Sequence, residues 1–402
     1  MRKRKSRYKS AKKGKGFKLN LNLRKIAIFA VIVLLLGYVI YAYIGFRNIK
    51  SENPLREGNA NYYLLSRRPN DFKKTLIVFE NELEGQERIE KVYLYAYNKN
   101  KESSILIYLP NWLLYKGLES DFGNAVAVSG FKYAGDFKQL GKGVEYAIWQ
   151  IEDLLGMNVD EYIWFDSKSF LLLQENLGEI ESSTAYSQYY QNGSEVSEDI
   201  FFLNGFVSRL NWLNLIFSAN KFRDSHSVIY SSFSSLPNIV VEMKSINSSI
   251  LNLKPYVIDL SLAKYQKQTE AEGDVGVVRY VNISEYDLVW RSNTSRMIDR
   301  KLERERVRVE VYNASGIAGK ASSFARRIAN SGCEVVRFDN APSKESSTKF
   351  YVPNQEEFKY SLDIITELLP GQYELINGRP SFMTTGDIVI ILGEDISSMY
   401  SF

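Results

Sequence analysis

A chain of 402 residues, 45% hydrophobic and 24% charged, is too long for one ordinary core and too apolar for wholesale disorder, so two folded domains with attachments are expected. The net charge of +4 hides an asymmetry: residues 1–50 hold 14 Lys and Arg and no carboxylate, while the 37 basic and 47 acidic residues that follow give about −10. One cysteine, Cys333, excludes an intramolecular disulfide and Cys-rich zinc sites, and one histidine, His226, excludes multi-histidine metal cages. A Ser-His-Asp arrangement would have to use His226 alone, in the polar run 223–227, where a solvated loop histidine is the simpler reading. Chemistry is therefore expected to rest on Arg, Asp, Glu and a bound cation.

Ile26–Phe46 is a run of 21 residues without a charge. As a helix it measures about 32 Å, enough to cross a bilayer. It lacks the polar stripe of a core helix, and Tyr38, Tyr41 and Tyr43 gather toward one end, where amphipathic rings favour an interface. A signal peptide would show a shorter apolar region and a small-residue cleavage site. Twelve Lys and Arg precede the span and only Arg47 and Lys50 follow closely, so residues 1–25 are expected to be a cytoplasmic tail and everything beyond Phe46 extracytoplasmic. The tail's charge also suits nucleic acid or anionic lipid, but fixing topology is its simplest role. The acidic body on the far side is not expected to bind nucleic acid.

Residues 47–70 read as a polar stalk with breakers at Asn53-Pro54 and Arg68-Pro69. Thr75–Phe79 is a short buried strand. Val92–Tyr97 alternates, with Val92, Leu94 and Ala96 on one face and Tyr93, Tyr95 and Tyr97 on the other, a face expected to pack under helices. A turn at 98–101 makes a hairpin with Ser104–Leu109. Val144, Ile148, Ile151 and Leu155 recur at helical spacing up to Gly156, a left-handed cap. A strand at Glu161–Asp166 and a helix at Ser167–Asn176 follow. Residues 181–200 read as an inserted loop, and Phe206, Leu210, Leu213 and Phe217 as one amphipathic helix. Residues 220–262 fit strand or helix. Lys264–Asp274 is a polar connector before strand-like Val275–Val281. The alternation predicts an α-β-α sandwich around a mixed sheet over residues 71–295.

The charged stretch Arg296–Glu305 marks a domain boundary, and residues 306–395 form a smaller α/β unit. Arg306–Tyr312 is a half-buried strand, Ile317–Asn330 a helix and Cys333–Phe338 a strand, as a right-handed βαβ unit requires. Thr348–Val352 is another strand, a helix begins at Pro353-Asn354, and Asp387–Leu392 closes the sheet. The loop Asn313–Gly316 opens a helix and offers amides to an anion, though turn chemistry is its default. The sequon at Asn293-Thr294-Ser295 carries little weight.

This order of pieces resembles the LytR-CpsA-Psr family of bacterial envelope proteins. The stretch VRVEVYNASGIAGKASSFARRIANSGCEVV, with the later FYVPNQEE and DIVIILGED, looks like the LytR C-terminal domain over roughly residues 306–395. GKGVEYAIWQIEDLLGMNVDEYIWFDSKSF parallels that family's central helix–strand pattern, within roughly residues 71–290. The resemblance implies a phosphotransferase that moves a glycopolymer from a polyprenyl-pyrophosphate carrier to peptidoglycan. Arginines would neutralise the pyrophosphate, a carboxylate would hold Mg²⁺, and an apolar slot would take the lipid.

On that resemblance Arg88-Ile89-Glu90-Lys91 stands for the family's Arg-Ser-Asp-Thr, before the Val92 strand. Arg88 is then the candidate catalytic and substrate-binding residue, and Glu90 the candidate catalytic and metal-binding one. Glu90 is one methylene longer than the Asp it replaces, and Lys91 is placed to pair with it; a solvated strand entry is the plainer reading. The second signature, Ile-Pro-Arg-Asp, is here Leu109-Pro110-Asn111-Trp112, which keeps the turn and loses the guanidinium and carboxylate. Arg209 and Arg223 are loose candidates without assigned roles. Two readings follow: a degenerate, non-catalytic envelope protein binding wall polymer or lipid-linked precursor, or a weakened glycopolymer phosphotransferase. The second predicts Arg88, Glu90 and further Arg or Lys converging beside an apolar channel. A transcription regulator is disfavoured, because the anchor exports both domains.

Overall fold

The chain is described as a computed structural model over residues 23–55, 72–98, 100–115, 125–178, 180, 182–225, 227–270, 277–295, 297–298, 300–369 and 373–396. Most of the basic tail, His226 and residues 56–70 of the expected stalk lie outside these residues. Helix α1 (Leu23–Arg47) contains the whole uncharged run, and almost all of it is exposed except Ala42 and Phe46. The start of the expected stalk is no free tether. Glu52 N donates to Ile229 O at 2.9 Å, Ser231 N donates to Glu52 O at 2.7 Å, and Lys50 bridges Ser235. Residues just past α1 are thus an added rung on the edge of a sheet.

That sheet grows from a long hairpin. Strands β1 (Phe72–Leu83) and β2 (Gln86–Asn98) pair along their whole lengths, turning at Glu84-Gly85 with φ of 54° and 75°, as a tight hairpin turn demands. Strand β3 (Ser103–Pro110) completes the meander. There follow β4 (Leu114–Tyr115), β5 (Val126–Ala127), α2 (Phe131–Lys138), α3 (Gly143–Leu155), β6 (Glu161–Phe165), α4 (Ser167–Leu177), α5 (Asp199–Arg209), α6 (Trp212–Asp224), β7 (Ile229–Ser231), α7 (Leu236–Leu253), β8 (Tyr256–Asp259), β9 (Gln266–Glu270), β10 (Val277–Val281) and α8 (Ile283–Thr294). The main sheet runs β7-β6-β1-β2-β3-β8, and a small one β5-β4-β10-β9.

The period-two pattern of β2 decides the layering. Val92, Leu94 and Ala96 join the core beneath α3, while Tyr93 and Tyr95 join the opposite core beneath α5 and α7. Their hydroxyls donate to Asp199 O at 2.7 Å and Ser249 Oγ at 2.6 Å, so the tyrosine face is packed under helices as expected. Gly156, at φ 64°, caps α3 as its position predicts. Three expectations change. The single helix through Phe206 and Phe217 is two helices bent by 93°, because Asn211 accepts from Leu213 N and starts α6 afresh. The connector at 264–274 contains β9, polar because it sits on an exposed sheet. Within the loop at 181–200, Asn192 is tied to Val257 N and O, and Asp199 already begins α5.

Helix α9 (Arg300–Glu305) leads into the smaller unit of β11 (Arg308–Asn313), α10 (Lys320–Asn330), β12 (Glu334–Asn340), β13 (Lys349–Tyr351), α11 (Lys359–Glu367), β14 (Glu374–Ile376) and β15 (Ile388–Leu392). Strands β11 and β12 are parallel around α10, the expected βαβ unit. Strand β15 does not close the sheet; it lies in its middle, in the order β12-β11-β15-β13-β14. Five buried residues in a row suit a strand covered on both faces. The helix expected from Pro353 begins only at Lys359, and β14 was not anticipated.

A polar clasp joins the units. Arg326 on α10 donates to both Asp287 carboxylate oxygens, at 2.7 and 2.9 Å, and to the carbonyls of Asp153 and Leu154 at the end of α3. Trp290 Nε1 donates to Asn330 O at 3.0 Å.

Candidate functional site

Strands β1, β3, β6 and β8 are mutually parallel, and they reach one edge of the main sheet at Glu80, Pro110, Phe165 and Asp259, with β1 running on beyond it to Leu83 in the hairpin with β2. The carboxyl edge of such strands is where an α/β sheet has room for a ligand. Strand β2 starts there, so Arg88–Lys91 and Leu109–Trp112 do meet: Lys91 pairs with Pro110. The first run is not a strand entry. It lies inside β2, and Phe79 pairs with Lys91 while Glu80 pairs with Ile89, so Glu90 is the extra residue of a β-bulge.

The cations at this edge are largely committed. Lys91 Nζ does not pair with Glu90; it lies 2.7 Å from Asp199 Oδ1 and 5.2 Å from the centre of the Phe202 ring. Arg88, opposite Asn81, donates from Nη2 to Gln86 Oε1 at 3.2 Å. Glu90 is half-buried. Burial first, and then nearby charges that include Glu90, raise the hydroxyl pKa values of Tyr93 and Tyr108. Asn111 uses its carbonyl to accept from Ser129 N at 2.8 Å, and Trp112 lies under the Arg279 guanidinium at 5.6 Å. Among the described residues no three His, Cys, Asp or Glu gather to hold a metal around Glu90 or elsewhere.

Beside these residues lies a cluster the sequence reading missed. Glu80 is fully buried and accepts from Trp164 Nε1 at 2.5 Å and Lys132 Nζ at 2.7 Å. Lys132 also reaches Glu87 at 2.7 Å, and Ser167 Oγ donates to Glu87 at 3.1 Å. Burial pushes Glu80 up to about 7, against the pull of Lys132 and Trp164. Burial opposes the charge on Lys132 too, but the two glutamates lift its pKa above the usual lysine value. Burial likewise works against ionised Glu87, yet the hydrogen bond and charge of Lys132 hold it below the usual carboxylate range. The signal was a carboxylate directly after the apolar run Thr75–Phe79, which a strand ending at Phe79 would have left in solvent.

Behind the edge, Phe79 packs against Tyr93, Phe165, Phe170, Phe202 and Phe206, with ring centres 4.8–6.3 Å apart. These rings fill the apolar layer beneath α5. Asp166 and Asp259 serve the fold: Asp166 caps α4 and accepts from Val228 N, and Asp259 ties down Ser197 and Ser261. Arg209 ends α5 in solvent, and the Arg223 side chain lies outside the described residues. In the smaller unit, Asn313 Oδ1 accepts from Ser315 N and Oγ, and α10 starts only at Lys320, so the loop is a self-satisfied turn and opens no helix directly. Cys333 is buried, which pushes its thiol up to about 12.

Residues 306–395 match the family described as LytR cell envelope-related transcriptional attenuator, over the range set by the sequence resemblance; this unit is a LytR C-terminal domain. No curated protein sequence matches the chain. Similar solved structures include TagV of Bacillus subtilis, at 11% identity and a TM-score of 0.39, covering 56% of this chain and 97% of that one. Lin1025 of Listeria innocua is 14% identical with a TM-score of 0.36, covering 56% and 98%. TagT bound to LI-WTA is 12% identical with a TM-score of 0.36, covering 59% and 96%. At these values the likenesses carry no argument about activity.

Proposed function

We propose that the chain is a single-pass, membrane-anchored cell-envelope protein of the LytR-CpsA-Psr type that binds a wall polymer or its polyprenyl-pyrophosphate precursor without transferring it. Its LytR C-terminal domain and the one apolar N-terminal helix long enough to cross a membrane support an envelope setting. The twelve Lys and Arg before the span, against Arg47 and Lys50 close behind it, favour an extracytoplasmic body, which keeps both folded units away from nucleic acid.

The observation that carries the non-catalytic part is the state of the cations at the sheet edge. Lys132 is held between Glu80 and Glu87, and Lys91 is held by Asp199. A pyrophosphate would have to strip both lysines from their carboxylates, and those carboxylates would then repel it. Asn111 adds no charge. Mg²⁺ would find no group of three carboxylates among the described residues at Glu90. Arg88, whose hydrogen bond is to an uncharged glutamine, favours the transferase as the second reading.

The test uses the full chain in nanodiscs with a polyprenyl-pyrophosphate-linked glycan and a peptidoglycan acceptor, with and without Mg²⁺. Binding without release of polyprenyl phosphate is expected, and Arg88→Ala is expected to weaken it. Release above a protein-free control would replace this reading with the transferase. Absence of binding to both lipid-linked and free polymer would remove the binding function.

A further inference from the structure

The face that α6 leaves exposed beside α1 is apolar. Leu213 is 59% exposed and Phe217 47%, with Trp212 and Ile216 half-buried beside them. Among the described side chains of the same helix, Asn214 and Lys221 are the exposed polar ones. A solvated helix would rarely present such a face next to a helix as bare as α1.

The contacts with α1 set the level of α6. Phe217 stacks on Tyr38 with ring centres 6.0 Å apart and planes 9° apart, and Trp212 meets Phe46 edge-on at 5.4 Å. Gly45 faces Ala219, whose Cβ would lie 3.7 Å from a Cβ at Gly45. These contacts span the stretch from Tyr38 to Phe46, about 12 Å of helix axis. The apolar run of α1 is only about as long as a bilayer core is thick, so that stretch has no slack to stand clear of lipid. Raising it by two turns would drag Arg24 and Lys25, at the other end, into hydrocarbon. Tyr38, Tyr41 and Tyr43, all exposed, mark the same level as an interface.

We propose that α6 is an interfacial helix whose Leu213–Phe217 face inserts into the lipid leaflet beside α1, so that the central domain rests on the bilayer surface. This rests on reading α1 as a spanning helix. The occupant of the face is lipid: the patch continues the exposed surface of α1, and Trp212 and Phe217 are the side chains that favour the headgroup–acyl boundary. The rung from Lys50 to Glu52 fits this placement, because it leaves no free chain between membrane and sheet. The sheet is then held at a fixed height over the layer in which a lipid-linked precursor is dissolved.

The test is depth-dependent quenching on the full chain in phosphatidylcholine–phosphatidylglycerol nanodiscs. Cys333 is buried with a raised thiol pKa, so a thiol-reactive bimane reports on an introduced cysteine. Leu213→Cys and Phe217→Cys are compared with Ile28→Cys on the anchor, and with Leu140→Cys and Met383→Cys, at positions 91% and 90% exposed. The expected result is quenching at 213 and 217 by nitroxide lipids, several-fold stronger than at 140 or 383, with protection from aqueous iodide. Iodide quenching at 213 and 217 equal to that at 140, with 28 still lipid-quenched, would overturn the inference and leave the anchor standing. Loss of lipid quenching at 28 would overturn the spanning reading itself. Protection of 213 and 217 from both quenchers, with cross-linking between copies, would assign the face to a second chain and also overturn the inference.

Discussion

Glu80 is a residue at the candidate site whose protonation the fold controls. Its folded pKa, about 7, stands above its ordinary value of 4.5 because the carboxyl has no exposed surface, and Lys132 and Trp164 only partly offset that. A raised value means that the folded chain holds a proton the unfolded chain has released. The stability contributed is therefore whole below about pH 4.5 and lost as pH rises through about 7, with a full span of about 3 kcal/mol. Glu87 moves the opposite way and matters only at lower pH. The difference in Tm between wild type and Glu80→Gln should shift steadily against wild type between about pH 5 and about pH 8. Parallel melting curves over that range would contradict the assignment. In the sequence Glu80 looked like the first residue past a strand. Only the pairing of β1 with β2 beyond Phe79 reveals it as interior, and that depends on a partner strand with no local signature.

At the scale of elements, local chemistry was readable and long-range registration was not. The cap at Gly156, the alternation of β2 and the βαβ start of the smaller unit follow from residues within one turn or one strand. The bulge at Glu90 and the central place of β15 follow from what packs opposite, whereas the break at Asn211 is a local cap that the apolar spacing around it concealed. Gly156 shows both levels at once. Its φ of 64° was legible, but a Cβ there would also lie 2.7 Å from Arg326 Cζ and 2.8 Å from Asn330 Nδ2, in a helix far along the chain. Arg326 holds Asp287 and two α3 carbonyls with one planar group. Arg326→Ala should cost about 3–5 kcal/mol, because Asp287 loses its bidentate partner in a largely buried setting. In calorimetry the melt should split into two transitions as the units uncouple. Arg326→Lys should recover only part, since a point charge cannot serve the carboxylate and both carbonyls. A loss below about 0.5 kcal/mol, typical of surface positions, would show that the clasp does not couple the units.

For the whole molecule, the division between a basic head and an acidic body was plain from the first fifty residues. The anchor it brackets is the one described helix long and apolar enough to span a bilayer. The candidate site was partly legible: the two runs at Arg88–Lys91 and Leu109–Trp112 do share an edge. The ion pairs that commit its lysines join distant positions, Lys132 in α2 with Glu80 and Lys91 with Asp199 in α5, so their commitment appears only in the fold. Everything proposed for polymer binding depends on which side of the membrane the body occupies. The most direct measurement is protease digestion of intact spheroplasts expressing the full chain with an epitope at its carboxyl terminus. The account predicts that the epitope is lost while a cytoplasmic control protein stays whole. Retention of the epitope until the membrane is broken by detergent, at a protease dose that then removes it, would contradict the account at its root.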